Sequence, residues 1–444
     1  MTTQSSSRTA AALALAVALG FACACETSKV QPPPQASAQK SAARAQALTK
    51  FEGAATSPVD AQLKKAQQLA ASLPEKPDSW VALGHAWVRK ARDSFDPLYY
   101  KFAEASATAA LEIAPNHPRA LDVRALVLMN DHRFEEARAI AQQIASAAPE
   151  DAMAQAALSD ALLELGRYAE AEKAAQQMMD LKPNLPSYSR AAHFFWLRGD
   201  PKAALETARL AIDAGSDSRD PEPRAWVIVQ AAQIFWNKGD LGGADAGYDR
   251  ALQDLPEFPA ALVGKGQVAL AQGRAKDAVG FFERSFRKLP LPGTLWLLGD
   301  ARSAAGDAKG AEEAWSRVER QGGSDPRTQA LFLATKNRSI PRAVELAKAE
   351  LAVRGDLYTE DALAWALYRA GRFAEARAAS DKAIALGTPD PRLLYHAGAI
   401  RLAQGESAGR ALVEKALALN PRFDETAATE AKELLALPRS VSRR

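Results

Sequence analysis

The chain has 444 residues, of which 25% are charged and 7% aromatic, and its formal net charge at pH 7 is +3. Because basic and acidic residues nearly balance, the chain lacks the large basic field that attracts nucleic acid, and we expect no nucleic-acid partner. A length of this size ordinarily indicates two or three globular domains. The residue spacings favour one continuous array instead.

Residues 1–25 have the pattern of an export signal. Arg8 precedes the apolar run Ala10–Ala22, which is too short to cross a bilayer comfortably. The two cysteines of the chain, Cys23 and Cys25, follow directly. We interpret them as candidate lipidation sites of a bacterial lipoprotein. This interpretation predicts an exported protein of the cell envelope, lipid-anchored and facing the periplasm.

The lipoprotein motif is imperfect, and two alternatives stay open. A leucine is usual three residues before the lipidated cysteine, whereas Gly20 or Ala22 stands there. Ala22-Cys23-Ala24 also fits ordinary signal cleavage, which would give a soluble secreted protein, and an uncleaved segment is the third interpretation. No cysteine follows Cys25, so we expect no disulfide framework.

Residues 26–57 are rich in Pro, Gln, Ser and Ala, a composition too polar to form a core, and we interpret them as a flexible tether. Roughly thirty such residues reach about 30 Å. Ser57, Pro58 and Asp60 then supply a capping side chain, a proline at the first helical position and an acidic first turn. They predict an N-terminal capping helix over residues 58–76.

A regular spacing dominates the rest of the chain. Pro115, Pro149 and Pro183 lie 34 residues apart, and an alanine stands 12 residues before each. A glycine precedes this alanine by five residues in several units, and we expect it to end the first of two helices. The glycines concerned are Gly166, Gly199, Gly239, Gly273, Gly306 and Gly371. The alanine admits a close helix crossing and the proline ends the second helix, so the pattern predicts repeated helix hairpins.

Residues 80–87, Trp-Val-Ala-Leu-Gly-His-Ala-Trp, resemble the opening of the tetratricopeptide repeat, with a tryptophan where tyrosine is usual. The resemblance extends over residues 77–423, and the whole layout is similar to bacterial tetratricopeptide lipoproteins. It implies an all-α, right-handed superhelical solenoid of about ten helix-turn-helix units. A capping helix over residues 424–437 and a basic tail over residues 438–444 would follow. The units would begin near Pro77, Pro118, Ala152, Leu185, Ala225, Pro259, Pro292, Ser324, Leu357 and Pro391.

The eighth of these units is the least regular. It replaces the turn glycine with Asn337-Arg338-Ser339, and we recognise the unit from Ala343 and Ala347 together with its neighbours. Seven turn-rich residues starting at Gly215 interrupt the period between the fourth and fifth units, and a shorter insertion before Tyr99 interrupts the first.

The chain offers little for catalysis or for metal binding. No two of its five histidines share the spacing that places two ligands on one helix face, and no cysteine follows residue 25. Gly264-Lys265-Gly266 is not followed by Ser or Thr and is predicted to lie inside a helix, so we do not interpret it as a phosphate loop. We expect no enzyme activity, no cofactor and no metal.

Aromatic residues suggest where a partner could bind. In the solenoid that the resemblance implies, one stripe of each first helix lines the concave surface, and this stripe collects five of the eight tryptophans. Aromatic side chains on such a surface suit a groove for a peptide or a partner helix. The candidate groove residues are His193, Trp196, Trp226, Gln233, Trp236, Asn237, Gln267, Trp296, Asp300, Phe332, Trp365, Tyr368, Arg369 and Tyr395.

Two other interpretations of this stripe stay open. The rings could simply pack between helices, which is the usual role of an aromatic stripe. The groove could alternatively hold a glycan, because aromatic walls with Asp, Gln and Asn suit sugars. The favoured interpretation is a non-enzymatic scaffold that binds proteins in the cell envelope, and the second is an accessory lipoprotein that handles polysaccharide.

Overall fold

The computed structural model describes residues 42–49, 57–216, 220–320 and 325–436. Over these ranges the regular secondary structure consists of 23 α-helices. Their bounds are α1 (42–47), α2 (Pro58–Ser72), α3 (Pro77–Ser94), α4 (Leu98–Ile113), α5 (Pro118–Asn130), α6 (Phe134–Ala147), α7 (Ala152–Glu164), α8 (Tyr168–Leu181), α9 (Leu185–Leu197), α10 (Pro201–Ala214), α11 (Glu222–Asn237), α12 (Leu241–Asp254), α13 (Pro259–Ala271), α14 (Ala275–Lys288), α15 (Pro292–Ala304), α16 (Ala308–Arg320), α17 (Pro326–Thr335), α18 (Ile340–Leu351), α19 (Leu357–Arg369), α20 (Phe373–Ala383), α21 (Pro391–Ala403), α22 (Ala408–Leu419) and α23 (Ala427–Ala436).

The helices from α3 to α22 form ten consecutive hairpins, which we number units 1 to 10. The two helices of each hairpin pack on each other, and the second also packs on the first helix of the next unit. Helices α2 and α23 pack on the two ends of the array. The predicted all-α solenoid of ten helix pairs with terminal capping helices is therefore confirmed.

Turn chemistry produces these hairpins. All six glycines predicted to end a first helix have positive φ, between 72° and 86°. Unit 2 places His132 in this left-handed conformation (φ 58°), and unit 8 places Asn337 there (φ 53°). Asparagine tolerates the left-handed region better than most residues, because its short side chain hydrogen-bonds locally. The irregular eighth unit therefore keeps the hairpin geometry without a turn glycine.

The alanine that follows each turn lies where the two helices of a hairpin cross. Nine units place it at 0–1% exposure, since a methyl group fills the crossing without separating the helices. These residues are Ala103, Ala137, Ala171, Ala204, Ala244, Ala278, Ala311, Ala343 and Ala376.

The described part of the predicted tether is not extended chain. Residues 42–47 form α1, in which Ala47 is fully buried and its carbonyl oxygen accepts a 2.9 Å hydrogen bond from Trp87 Nε1. The unit 1 indole therefore holds this segment against α3. The predicted export signal, with Cys23 and Cys25, and the basic tail lie outside the described residues. Among the described helices, none has the length and apolar character needed to cross a membrane.

The array curls far enough for distant units to touch. The turns of units 3, 4 and 5 lie against the loops that precede α19, α21 and α23. The loop before α11 also meets unit 1, where Arg89 Nη2 lies 2.6 Å from Asp220 Oδ1. The solenoid is therefore closed on itself along one edge, and this closure decides which parts of its inner surface are exposed.

Candidate functional site

The structure buries most of the predicted groove. Of the fourteen candidate residues, eight are less than 10% exposed: Trp196, Trp236, Asn237, Trp296, Asp300, Phe332, Trp365 and Tyr395. Five more are partly buried: His193, Gln233, Gln267, Tyr368 and Arg369. Only Trp226, at 46%, is exposed among them. The prediction that these rings line an open groove is therefore wrong for the buried members, because neighbouring first helices pack against them.

Trp365 is the centre of the largest aromatic cluster. It is 1% exposed, and its ring stacks on His396 with a centroid separation of 4.0 Å and on Tyr368 at 4.9 Å. Its Nε1 donates a 3.2 Å hydrogen bond to Thr335 Oγ1. One indole thus joins the first helices of units 8, 9 and 10, which is a packing role.

A buried contact between a histidine and a carboxylate, which the sequence did not predict, lies beside this cluster. His396 Nδ1 lies 2.9 and 3.0 Å from the two carboxylate oxygens of Asp361, and both residues are 2% exposed. They are 35 residues apart, one repeat plus one residue, so they face each other from neighbouring first helices. The repeat period could have suggested this pair. Its burial between α19 and α21 makes it a link between units 9 and 10.

Asp300 also links two neighbouring units. Its Oδ1 lies 2.6 Å from Lys336 Nζ and accepts a 3.0 Å hydrogen bond from Trp315 Nε1. Burial raises the pKa of Asp300 to about 6, against the opposing effect of Lys336. This carboxyl group therefore joins units 7 and 8 and is covered by them.

The inner surface of unit 4 is covered by unit 9. Trp196 Nε1 lies 3.5 Å from Tyr358 Oη, although the two residues are 162 positions apart. Burial raises the pKa of Tyr358 and lowers the pKa of His193. In the closed array Trp196 and Tyr358 therefore cover each other.

Exposed residues of the predicted stripe remain at the starts of the first helices of units 1 to 5. The second repeat position there is exposed in units 1, 2, 3 and 5, which carry Asp78, Arg119, Met153 and Trp226. We call these four residues the open rim. Met153 is 58% exposed, and the Trp226 ring meets Phe258 edge-on at 6.4 Å. The open rim thus combines two large apolar side chains with one charge of each sign.

Titratable groups lie close behind the open rim. Burial, the neighbouring Arg119 and then Arg92 lower the pKa of His85. Burial and the Asp151 carboxylate raise the pKa of Asp122 to about 6, against the effect of Arg119. Arg119 of the open rim therefore lies close enough to His85 and Asp122 to affect their ionisation.

A groove of about 1100 Å³, which no sequence pattern predicted, lies among α1, α4, α5 and α6. Leu98 and Tyr100 line it together with the charged side chains of Glu104 and Arg124. Arg124 donates a 3.0 Å hydrogen bond to Glu104 and a 2.9 Å bond to Thr108. Arg124 and Glu104 thus pair with each other inside the groove. Within the described ranges, no three metal-ligating side chains come together.

Comparison with known proteins identifies the repeats. The sequence profile of the tetratricopeptide repeat matches residues 123–186 and 229–290. No curated protein has a significant sequence match to the chain.

Among solved structures, one has a similar overall fold. A monomeric mutant of IFIT1 with Gppp-AAAA has a TM-score of 0.51 and 16% identity, over 74% of this chain and 77% of that chain. Two others are less similar in shape. PilW, a type IV pilus biogenesis factor, has a TM-score of 0.40 and 19% identity, over 46% of this chain and 92% of that one. Yeast Tom70 has a TM-score of 0.41 and 16% identity, over 85% of this chain and 95% of that one.

These likenesses concern the fold and carry no activity with them. The coarse role of such repeats is nevertheless common to the family, whose members generally bind protein or peptide partners and are not enzymes. The profile matches at residues 123–186 and 229–290, together with the ten stacked helix hairpins, show that the chain contains tetratricopeptide repeats.

Proposed function

We propose that the chain is a non-enzymatic scaffold of the bacterial cell envelope, which binds a peptide or a helix of a partner protein at the open rim. The observation that carries the proposal is the exposure of Trp226, which is 46% accessible on a surface where the other predicted aromatic residues are covered. An exposed indole gives a large apolar contact at a small entropic cost, and such residues dominate binding energies.

The other residues of the open rim support a protein partner. Met153 adds a flexible apolar side chain that adapts to different surfaces, while Arg119 and Asp78 add charges that can orient a polar backbone or side chain. An apolar centre with a charged margin is the usual composition of a protein interface. The glycan alternative rests on the same indole, because an exposed ring also stacks on sugars.

The first test is site-specific photo-crosslinking in the envelope. A photoreactive phenylalanine analogue in place of Trp226 is expected to form a crosslink to one defined protein, because this side chain lies at the centre of the proposed contact. The same analogue at Leu210, which is 42% exposed on the second helix of unit 4, is the matched control and is expected to give no such product. Crosslinked products would be identified by mass spectrometry.

Binding strength then separates the two candidate ligands. Trp226→Ala is expected to weaken the crosslinked partner's affinity by tenfold or more, which corresponds to about 1.4 kcal/mol, whereas Leu210→Ala leaves it unchanged. Equal products at positions 226 and 210 would exclude the open rim as the binding surface. Retardation of the chain in polysaccharide gels that depends on Trp226, without a protein crosslink, would favour the glycan alternative.

The cellular location has a separate test. We propose that Cys23 or Cys25 carries a lipid that anchors the chain and leaves the array facing the periplasm, with a soluble secreted form as the alternative. Growth with a labelled fatty acid is then expected to mark the protein. Either Cys23→Ala or Cys25→Ala should abolish the label, and the other substitution should keep it. An unlabelled wild-type chain would exclude the lipid anchor.

A further inference from the structure

The edge along which the array closes is built from a repeated contact. The first helices of units 3 to 6 each end with a backbone carbonyl that receives a hydrogen bond from a residue more than 150 positions further along the chain. Helix ends normally leave such carbonyls to solvent or to local caps. The four pairs are Gly355 N to Glu164 O (2.9 Å), Thr388 Oγ1 to Leu197 O (2.7 Å), Asn420 Nδ2 to Trp236 O (2.8 Å) and Arg422 Nη1 to Ala271 O (2.8 Å).

The turn glycines beside these carbonyls have a second reason to lack a side chain. A Cβ on Gly166 would overlap the carbonyl oxygen of Gly355, and a Cβ on Gly199 would lie 2.9 Å from the carbonyl oxygen of Gly387. A Cβ on Gly239 would lie 2.6 Å from the carbonyl oxygen of Leu419. The backbones of distant units therefore meet without an intervening side chain, at three successive turns.

Three other turn glycines provide an internal comparison. Gly273, Gly306 and Gly371 have the same positive φ, yet a Cβ added to any of them would have no heavy atom within 4 Å. The hairpin thus requires a left-handed residue in every case, whereas the close backbone approach occurs only in units 3 to 5. The two requirements can be separated by experiment.

Side chains reinforce the contact at unit 3. Tyr168 Oη accepts a 2.6 Å hydrogen bond from the backbone N–H of Leu357. Arg354 Nε lies 2.8 Å from a carboxylate oxygen of Glu164, and only 12% of the Arg354 side chain is exposed. These bonds hold the loop before α19 to the turn between α7 and α8.

The loops that make these contacts depart from the repeat. Four residues connect α6 to α7, but five connect α18 to α19 and seven connect α20 to α21. The longer connections contain Gly355, Gly387 and Thr388, and they supply the donors and the close backbone approach. These two longer connections thus reach across to distant units.

We propose that these contacts form a clasp, a conformational device that holds the array closed and can open without unfolding any hairpin. We define the clasp as the contacts of the unit 3 to unit 6 turns with residues 354–357, 387–388 and 419–422. In a repeat array each unit is stabilised by its immediate neighbours. Because the clasp joins units that are not neighbours, its release leaves those neighbour contacts in place.

Opening the clasp has a defined consequence for the inner surface. Trp196 and Tyr358 cover each other only while unit 4 is held against unit 9. An open array therefore uncovers part of the predicted aromatic stripe, so the clasp controls how much inner surface a partner can reach. This inference goes beyond the proposed function, since it concerns the free chain and does not depend on the open rim.

The test compares Gly166→Ala with Gly371→Ala in the full chain. Both substitutions place a methyl group at a positive φ, but only the first meets the backbone of a distant unit. Gly166→Ala is expected to increase the radius of gyration in small-angle X-ray scattering. It is also expected to speed amide exchange of Gly355 and Leu357 by about tenfold or more, as local opening does. Gly371→Ala should change neither quantity, and far-ultraviolet circular dichroism should stay helical in both variants.

Two milder substitutions repeat the test without any clash. Tyr168→Phe removes the acceptor of the Leu357 amide, and Thr388→Val removes the hydroxyl donor to Leu197 while keeping the side-chain shape. Each is expected to speed exchange in the loop that it serves, residues 354–357 or 387–388. Equal scattering and equal exchange for Gly166→Ala and Gly371→Ala would overturn the clasp. A loss of helix in Gly166→Ala with no faster loop exchange in the milder variants would also overturn it.

Discussion

Replacing Trp365 with alanine is expected to destabilise units 8 to 10 by about 3–5 kcal/mol, the usual result of removing a buried aromatic side chain. The reason is the central position of this indole. It stacks on His396 and Tyr368, lies 5.5 Å from the Tyr395 ring and hydrogen-bonds to Thr335. The resulting cavity would border three consecutive first helices, and none of them could close it without losing its register with the next unit.

Amide exchange measured helix by helix is the appropriate readout, because a repeat array unfolds in parts and one global free energy describes it poorly. We expect faster exchange throughout α17, α19 and α21, with α3 to α8 unchanged. Trp226→Ala is the matched control. The Trp226 ring is 46% exposed, so its removal should lower local stability by less than about 1 kcal/mol.

Similar effects of the two tryptophan substitutions would contradict the assignment of Trp365 to the core. A loss of partner binding in Trp365→Ala with unchanged exchange would restore the predicted groove in the C-terminal units. The comparison therefore decides between packing and binding, the two interpretations that the sequence left open for this stripe.

Local chemistry explains why the repeats could be predicted. Three features each act within one hairpin: a proline at the first position, a left-handed residue at the turn and an alanine at the helix crossing. Once they are recognised in one unit, the same spacing locates the next unit. Even the irregular eighth unit was identified, from Ala343, Ala347 and its neighbours, and the structure shows Asn337 replacing glycine in the left-handed conformation. Helix α1 was not predicted, since its position depends on Trp87, forty residues away.

The exposure of the inner surface could not be predicted in the same way. Periodicity places Trp196 and Trp365 on the inner stripe, but it does not give the curvature that brings unit 9 against unit 4. That curvature depends on contacts such as Thr388 with Leu197, which are 191 residues apart. The signal for these contacts lay in the connections around Gly355 and Gly387, which are longer because α18 and α20 are short, and a search for regular units passes over them.

Glycines inside helices carry a similar signal. Gly264 and Gly266 belong to a Gly-Lys-Gly segment that could suggest a phosphate loop, and the sequence gives no reason for two glycines within one helix. The structure supplies it. A Cβ on Gly264 would overlap the ring of Tyr248, and a Cβ on Gly266 would lie 2.5 Å from Phe282 Cε1. Each glycine admits an aromatic ring from the second helix of a hairpin, that of its own unit or of the preceding one.

Gly264→Ala is therefore expected to destabilise the middle of the array by about 1–3 kcal/mol, as overpacking of a core does. This loss of stability is opposite to the usual effect of replacing glycine with alanine in a helix interior, where alanine is favoured by about 1 kcal/mol. The Tyr248 ring cannot move away from an added methyl group, because it is fully buried and its hydroxyl donates a 3.2 Å hydrogen bond to Gln233.

Gly280→Ala is the matched control for this prediction. Gly280 lies inside the next helix, α14, and an added Cβ would meet no heavy atom within 4 Å, so alanine is expected to stabilise that helix by about 0.5–1 kcal/mol. Denaturant midpoints and local exchange of α12 to α14 should shift in opposite directions in the two variants. A gain of stability in both would mean that Tyr248 does not pack on Gly264. The helix-to-helix distance would then be set by other contacts, and the close packing of units 5 and 6 would need a different explanation.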